Sequence, residues 1–363
     1  MKIITFGEIM GRIAPEGNWR FVQAMPGTVL MSFAGAEANV AVSIALFGGE
    51  SAYCTVLPKH AIAEACIRSV RATGVDTSRV IRSNHGRLGL YYLETGANQR
   101  PSNVIYDRNG SSIAVMPPEQ YDWTYILNGF SWLHLTGITP ALSRETAQAT
   151  QDAAEIAKKL GMTVSLDLNF RQKLWAWNPP MPARELAGKT MRKILPSVDI
   201  VIANESDCAD VLGIYAQNSD VEKGDIDIDR YPEVAREVAK QFPNLQKVAI
   251  TLRESISATH NNWGGMLYDV RKNETFFAPL DSNGNYKPYE IRSIVDRVGA
   301  GDSFGAALIF ALTTAELSDS ATAIRFAVAA SCLAHSIIGD FNHVTRTEVE
   351  NLMGGDVSGR VKR

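Results

Sequence analysis

The sequence predicts a three-layer α/β fold with a mostly parallel central sheet and a small β-sheet lid. Short apolar runs of strand length alternate with longer helical patterns, which is typical of successive βαβ units. One segment, residues 86–115, breaks this alternation because no helix separates its two strand-like runs. The strand candidates are 3–6, 132–135, 163–168, 198–202 and 247–252, and the helix candidates are 36–47, 62–73, 144–160, 184–195 and 231–241.

The predicted central strands are continuous apolar runs, as in residues 3–6 and 247–252. Strands that carry apolar residues on both faces are typical of a parallel sheet covered by helices on its two sides. The interspersed helical patterns supply those two covering layers.

The lid is predicted from residues 89–94 and 102–107, which read as two strands joined by a turn-rich connection. Together they form an antiparallel hairpin outside the main sheet, and residues 9–34 are expected to pair with it because they lack a helical pattern. We therefore expect one domain over residues 1–355, a lid built from about 9–34 and 86–115, and a tail over 356–363. A plain edge hairpin is the alternative.

Composition limits the function classes. The 363 residues include 36 basic and 39 acidic side chains, giving a net charge of −3, which argues against a nucleic-acid partner. No stretch reaches the roughly twenty apolar residues of a membrane span, and the amino terminus does not read as a signal peptide. The four cysteines are scattered without a CxxC pair, so reduced thiols and a cytoplasmic location are expected.

Residues 216–230 are polar and rich in acids, which indicates a surface insertion. Calcium binding is conceivable there because acidic residues alternate. The glycine and glutamate placement of an EF-hand is missing, however.

Residues 294–304 carry the sharpest chemical signal: a β-like run, a turn of small residues and an apolar helix. Gly299 and Gly301 let a ligand approach the backbone around Ala300. The first amides of the helix lack intrahelical partners, so they form an anion hole suited to a phosphoryl group. Asp302 beside that hole suits a general base that takes a proton from an attacking hydroxyl. A simple helix cap is the alternative for Asp302.

Residues 296–302, Asp-Arg-Val-Gly-Ala-Gly-Asp, resemble the carboxy-terminal signature of the ribokinase-like (PfkB) carbohydrate kinases, usually Asp-Thr-x-Gly-Ala-Gly-Asp. Blocks at 5–10, 329–333 and 339–341 match the family in the right order. Arg297 stands where many relatives carry threonine. The resemblance implies the ribokinase-like fold, with Gly299, Ala300, Gly301 and Asp302 as the catalytic group.

The resemblance also implies a sugar site. Residues 35–39 match the family's amino-terminal sugar-binding signature, so Gly35 and Asn39 would hold sugar hydroxyls. Ala34 replaces the usual first glycine of that signature. A helix opened by glycine, with Asn39 in its first turn, is the alternative.

Three residues of the predicted hairpin, Tyr91, Tyr106 and Arg108, match family positions that contact a sugar acid. Arg171 follows a buried strand and matches the family's substrate-binding arginine in Asp-x-Asn-x-Arg. Two arginines suit a substrate carboxylate, which an arginine grips with two hydrogen bonds. An oligomer interface at the lid and a structural salt bridge of Arg171 are the alternatives; the lid is also expected to join copies into a homo-oligomer.

On the nucleotide side, the resemblance implies roles for Asn204, Thr251 and Arg253, together with Gly299 and Gly301. Asp207 falls where the family's metal-linked glutamate is usual, and a carboxylate can bind Mg²⁺ through water. The alternative for this element is a helix cap by Asn204, with acids in the first helical turn.

The implied activity is transfer of the ATP γ-phosphate, with Mg²⁺, to the 6-hydroxyl of 2-keto-3-deoxygluconate. The alternatives are a fructokinase, a ribokinase or a 5-dehydro-2-deoxygluconokinase of the same family, and a non-catalytic sugar or nucleotide sensor. A dinucleotide-dependent oxidoreductase is disfavoured because no G-x-G-x-x-G follows the first strand.

Overall fold

A computed structural model of the chain describes residues 1–204, 206–215 and 228–356. The described strands, in chain order, are β1 Lys2–Phe6, β2 Met10–Ala14, β3 Leu30–Ala34, β4 Glu50–Cys54, β5 Val56–Pro58, β6 Ile81–Ser83, β7 Gly89–Glu94, β8 Asn103–Asp107, β9 Trp132–Thr136, β10 Thr163–Asp167, β11 Ile200–Ala203, β12 Lys247–Ser257, β13 His260–Asp269, β14 Glu274–Ala278 and β15 Tyr289–Ile291.

The described α-helices are α1 Phe21–Ala24, α2 Ala36–Leu46, α3 Ala61–Ala72, α4 Ser112–Val115, α5 Trp123–Leu127, α6 Arg144–Lys159, α7 Ala183–Ile194, α8 Asp207–Leu212, α9 Tyr231–Gln241, α10 Ala300–Thr313, α11 Ser320–Ala334 and α12 Arg346–Met353. The insertion and calcium site considered for residues 216–230 fall largely on 216–227, and the tail predicted over 356–363 falls largely on 357–363; residues 216–227 and 357–363 lie outside the described residues.

The central sheet has the strand order β14-β13-β12-β11-β10-β9-β1-β4. Its pairs from β4 to β12 are parallel, and β13 pairs antiparallel with β12, β14 and β15. The parallel strands are buried on both faces, as their apolar sequences require. The predicted α/β class with a mostly parallel sheet is therefore confirmed, and the antiparallel edge is an addition that the sequence analysis did not predict.

Helices cover the sheet on both faces. One layer holds α2, α10, α11 and α12, and the other holds α5, α6, α7 and α9. α10 is apolar almost all round because it packs at once against the sheet, α2 and α11. Because α10 lies in the middle of a layer, packing fixes its position. The first turn of α10 lies at the functional site.

A separate four-stranded sheet of order β3-β2-β7-β8 forms the lid. β7 and β8 pair antiparallel, as the hairpin prediction requires, and β2 and β3 come from the amino-terminal stretch expected to join them. We call these four strands the lid below. Its strands fall inside the predicted ranges 9–34 and 86–115, while the domain limits themselves stay a prediction.

Candidate active site

A cavity of about 520 Å³ lies where the parallel strands end, bordered by the first turn of α10 and by lid residues. The carboxyl ends of β10, β11 and β12 open into it, which is where ligands bind in open α/β sheets. Ten of the predicted site residues line it: Tyr106, Arg171, Asn204, Asp207, Thr251, Arg253, Gly299, Ala300, Gly301 and Asp302.

The first turn of α10 presents its backbone to this cavity. Gly299 precedes the helix in the left-handed region, with φ 85°, and a Cβ there would overlap the carbonyl oxygen of Asp340. Because Ser303 is the first residue whose amide bonds back to Gly299, the amides of Ala300, Gly301 and Asp302 have no intrahelical acceptor. This turn therefore has the geometry of an anion-binding site.

Contacts behind the turn hold it in place. The hydroxyl of Ser331 on α11 donates to the carbonyl oxygen of Ala300 at 2.7 Å. The side-chain amide of Asn342 donates to the hydroxyl of Ser303 at 2.6 Å. A group that binds here meets backbone amides that are already oriented. Such amides stabilise negative charge without any rearrangement of the protein.

Asp302 lies in this turn with its side chain partly exposed. Burial raises the pKa of its carboxyl to about 6, while the hydrogen bond that the Asn39 side chain donates to Asp302 Oδ2, at 2.7 Å, opposes the rise. A carboxylate that is mostly ionised at pH 7 yet poised close to it suits proton abstraction from an alcohol.

Gly35 and Asn39 lie behind this carboxylate at the start of α2, and neither lines the cavity. The backbone amide of Gly35 donates to Asn39 Oδ1 at 3.3 Å, so the Asn39 amide bridges the helix start and Asp302. A Cβ at Gly35 would overlap the carbonyl oxygen of Glu8, which explains the glycine by close packing. The geometry favours orientation of Asp302 as the task of Asn39.

Asp167 and Asn169, which had not been predicted as site residues, also line the cavity. Burial, followed by the charges of Asp207 and Asp302, raises the pKa of Asp167 well above its usual range. Asn169, two residues on, lines the same cavity, and its side-chain Oδ1 has no hydrogen-bond partner among the described residues. Both residues belong to the Asp-x-Asn-x-Arg run, so the motif itself was the signal that could have found them.

Arg171 ends that run, and its exposed side chain lines the cavity. One of its guanidinium nitrogens donates to the carbonyl oxygen of Phe170 at 3.1 Å, which leaves the other donors of the fork available. Its charge helps to hold down the pKa of Asp302. Arg171 thus lies where an anionic ligand can meet it.

The element at Asn204 has the geometry of a helix cap. Asn204 Oδ1 accepts the backbone amides of Ser206 and Asp207, both at 2.9 Å. The buried carboxylate of Asp207 accepts the amides of Asn204 at 2.9 Å and Phe170 at 3.0 Å. Within the described residues no group of three or more His, Cys, Asp or Glu side chains is arranged to hold a metal. The metal role of Asp207 stays a prediction, since both of its oxygens already serve backbone amides.

The lid residues separate into two groups. Tyr106 is 39% exposed and lines the cavity, as expected for a ligand contact. Tyr91 and Arg108 are buried and lie outside the cavity lining. The Tyr91 hydroxyl donates to Asp340 at 2.8 Å, and Arg108 Nε donates to Glu8 at 2.7 Å. Buried carboxylates hold both side chains in this structure, so contact of Tyr91 and Arg108 with a sugar acid stays a prediction.

A buried ionic network at the base of the lid was not foreseen. Arg12 of β2 contacts Asp296 and Asp340, each at 2.5 Å. Asp296 lies shortly before the anion-binding turn, and the backbone of Asp340 packs against Gly299. Arg12 and Tyr91 therefore fasten the lid to the two segments that flank this turn.

On the opposite side, Thr251 and Arg253 of β12 line the cavity, Thr251 buried and Arg253 exposed. The apolar run predicts a strand that ends at residue 252, but β12 continues to Ser257 and pairs with β13. Asn261, Trp263 and Arg297 line the same wall and had not been selected as site residues.

The fold and the site together define a phosphotransferase of the α/β class, with an anion-binding helix start and a carboxylate beside it. Comparison with known proteins specifies which one. The model of the pfkB family of carbohydrate kinases matches residues 2–252, and the chain belongs to this family. It is a carbohydrate kinase of a family that uses ATP.

Relatives span the whole chain. A protein of Haloferax volcanii named 2-dehydro-3-deoxygalactonokinase is 30% identical and covers 98% of this chain and 98% of its own length. The crystal structure of 2-dehydro-3-deoxygluconokinase from Thermotoga maritima is 40% identical, with a TM-score of 0.87, over 98% of this chain and 100% of that one. A PfkB family carbohydrate kinase from Listeria grayi is 29% identical, with a TM-score of 0.84, over the same shares.

Among the described residues, no helix combines the length and the apolar character needed to cross a membrane.

Proposed function

We propose that this protein transfers the γ-phosphate of ATP to the 6-hydroxyl of 2-keto-3-deoxygluconate, also called 2-dehydro-3-deoxygluconate. The observation that carries the proposal is the Asn39–Asp302 hydrogen bond beside the open amides of α10, with Arg171 on the same cavity. The names of the relatives from Thermotoga maritima and Haloferax volcanii support an acid sugar of this size.

In the proposed reaction, Asp302 accepts the proton of the 6-hydroxyl while the hydroxyl oxygen bonds to the γ-phosphorus and ADP departs. The amides of Ala300, Gly301 and Asp302 stabilise the negative charge on the transferring group. Asn39 keeps the base ionised and oriented. Arg171 binds the substrate carboxylate, and Tyr106 covers the sugar from the lid.

Magnesium would be held largely by the nucleotide phosphates and water, as is usual for this ion. The oxygens of Asp167 and Asn169 suit it, because Mg²⁺ prefers hard oxygen ligands and Asn169 Oδ1 lacks a partner among the described residues. Asp207 would act through water. The ion would supply charge neutralisation of the phosphates.

One assay tests the substrate. ADP release is measured with ATP and, in turn, 2-keto-3-deoxygluconate, its galactonate epimer, fructose and ribose. We expect the two acid sugars to be used and the neutral sugars to show a kcat/KM at least about 100-fold lower, since a neutral sugar leaves Arg171 unpaired. Equal use of fructose or ribose would contradict the acid-sugar proposal. If the galactonate epimer is preferred, the activity is that of a 2-dehydro-3-deoxygalactonokinase, the name of the Haloferax relative.

We also propose that a second copy of the chain packs on the lid. Val22, Met25, Leu30 and Ile105 are large apolar side chains of the lid and its connections, and each is more than half exposed. Leu30 and Ile105 lie on the two outer strands of the lid, and Val22 and Met25 lie in the connection between β2 and β3. Large apolar side chains left exposed on and beside a small sheet favour an interface, and symmetric dimers are the commonest assembly. Light scattering after size-exclusion chromatography should give a dimer for the native chain and a monomer for Leu30→Glu with Ile105→Glu. A native monomer at micromolar concentration would refute it.

A further inference from the structure

One side of the cavity lies near β12 and β13, away from β10, which carries Asp167. Two guanidinium groups line this side. Arg253 belongs to the part of β12 that continues beyond its buried half, and Arg297 belongs to the segment that leads into α10. Both side chains line the cavity that also holds the first turn of α10. The family resemblance leaves Arg297 without a role, because threonine is usual there.

Arg297 is half-buried, and its partner is neutral. One of its terminal nitrogens donates to the side-chain oxygen of Asn261 on β13 at 3.0 Å. Over residues 1–204, 206–215 and 228–356, Arg297 forms no ion pair with a carboxylate. The buried arginines of the lid are different, since Arg12 and Arg108 each contact acidic side chains.

This arrangement has an electrostatic cost. Burial, and then the neighbouring charge of Arg253, lower the pKa of Arg297. Arg297 therefore carries a charge that is half-buried beside a neutral amide and next to a second guanidinium, which destabilises the empty protein. A ligand with several negative charges would stabilise Arg297 in its charged form, and a cavity side chain whose pKa is shifted by burial and by a charged neighbour is a mark of a binding site.

The neighbouring anion hole narrows the choice of ligand. Arg297 lies two residues before Gly299, so its segment continues directly into the turn that would receive the transferred phosphoryl group. The phosphates that follow along a nucleotide must then lie close to this turn. A guanidinium matches them because its planar fork binds two phosphate oxygens at once.

We propose that Arg297, oriented by Asn261 and acting with Arg253, binds the α- and β-phosphates of the nucleotide. Arg297 is a specificity residue for polyphosphate in this chain, next to the anion hole of α10 rather than within it. The proposal rests on the nucleotide part of the proposed function and is independent of which sugar accepts the phosphate.

Calorimetric titration of the full chain with ATP, ADP, AMP and adenosine, in the presence of Mg²⁺, tests this assignment. Arg297→Thr should weaken ATP and ADP binding by about 10- to 100-fold and leave adenosine unchanged, because charge-assisted hydrogen bonds are lost only with phosphates. Arg297→Lys should recover part of the loss. The matched control is Arg292→Thr, which removes an exposed arginine of the same segment that pairs with Glu290 at 2.8 Å.

A second variant keeps the arginine and changes only its partner. Asn261→Asp has nearly the same shape, and its carboxylate would pair with Arg297 and cancel the charge offered to the ligand. We expect it to weaken ADP binding by about tenfold while the thermal midpoint stays at or above that of the native chain.

Three results would overturn the assignment: unchanged ADP affinity in a folded Arg297→Thr variant, an equal loss for adenosine and ADP, or a loss confined to the acid sugar. Failure of the sugar assay has a different signature, because a chain that rejects 2-keto-3-deoxygluconate can still bind ADP through Arg297. Normal phosphorylation with an unchanged KM for ATP in Arg297→Thr would sink this inference alone.

Discussion

Charged side chains have different partners at the end of the parallel sheet and in the lid. At the sheet end, the hydrogen-bond partner of the Asp302 carboxylate among the described residues is the neutral amide of Asn39, and burial raises the pKa of Asp302. At the base of the lid, the acids Glu8 and Asp340 are matched with the arginines Arg108 and Arg12. The first region keeps charges available for a ligand, and the second uses them to fasten the lid.

The same contrast explains which features of the site can be predicted from a short stretch of sequence. A glycine-rich turn before an apolar helix determines local backbone geometry, so the anion-binding turn could be read from consecutive residues. The partners of Tyr91 and Arg108 lie 249 and 100 positions away along the chain. Only tertiary packing brings such residues together, and no short motif encodes it.

The largest effect should follow from removing the base at the sheet end. Asp302→Asn preserves shape and the contact with Asn39 but cannot accept a proton. We expect kcat to fall by at least about 1,000-fold, with ADP and sugar affinities within a few fold of native. Single-turnover kinetics and calorimetry measure the two quantities.

Asp281→Asn, in an exposed turn, is the matched control and should keep native turnover. A turnover within tenfold of native in Asp302→Asn would show that Asp302 is only a helix cap. Asp302 would then have a structural role, like the acidic residues at the base of the lid.

The next effect tests the lid. Removing one member of the Glu8–Arg108 pair leaves a buried charge without its partner, so Arg108→Met should lower the free energy of unfolding by about 3–5 kcal/mol. The double variant Glu8→Met with Arg108→Met should recover much of that loss. Urea denaturation monitored by fluorescence gives both values.

If Arg108 instead bound the sugar acid, Arg108→Met would leave stability unchanged and raise the KM for the acid sugar alone. The double variant is the decisive measurement, because recovery of stability without Arg108 assigns the pair to structure.

More of the fold than of the site could be predicted from the sequence. Continuous apolar runs such as 132–135 and periodic helices such as 144–160 determined the layers, since burial on both faces leaves few other arrangements. The antiparallel edge at β13 and β14 was not predicted, because the mostly buried β13 begins with polar residues and contains two adjacent glycines, while β14 is short and partly exposed. At the site, Asn39 was selected for sugar contact, and only the structure shows its hydrogen bond to Asp302.

Replacing Arg171, the exposed arginine at the end of the parallel sheet, should have a moderate effect. Arg171→Met should raise the KM for the acid sugar by about 10- to 100-fold and leave the KM for ATP unchanged, since one charge-assisted contact to the carboxylate is lost. Lys173→Met, an exposed cation two residues on that does not line the cavity, is the control. An equal rise in KM for acid and neutral sugars would argue that Arg171 shapes the site without binding the carboxylate.

The smallest effect concerns Asn39, and its pH dependence separates two roles. Because the Asn39 side chain favours the charged form of Asp302, whose pKa is about 6, removing it must raise that pKa. Asp302 must be ionised to act, so kcat/KM falls as pH drops through its pKa; in Asn39→Ala this fall should begin about one pH unit higher. The loss would be about twofold at pH 7 and absent at pH 9. Asn39→Asp, with a like charge, should move the fall further. A loss of the same size at every pH would instead assign Asn39 to the sugar hydroxyls.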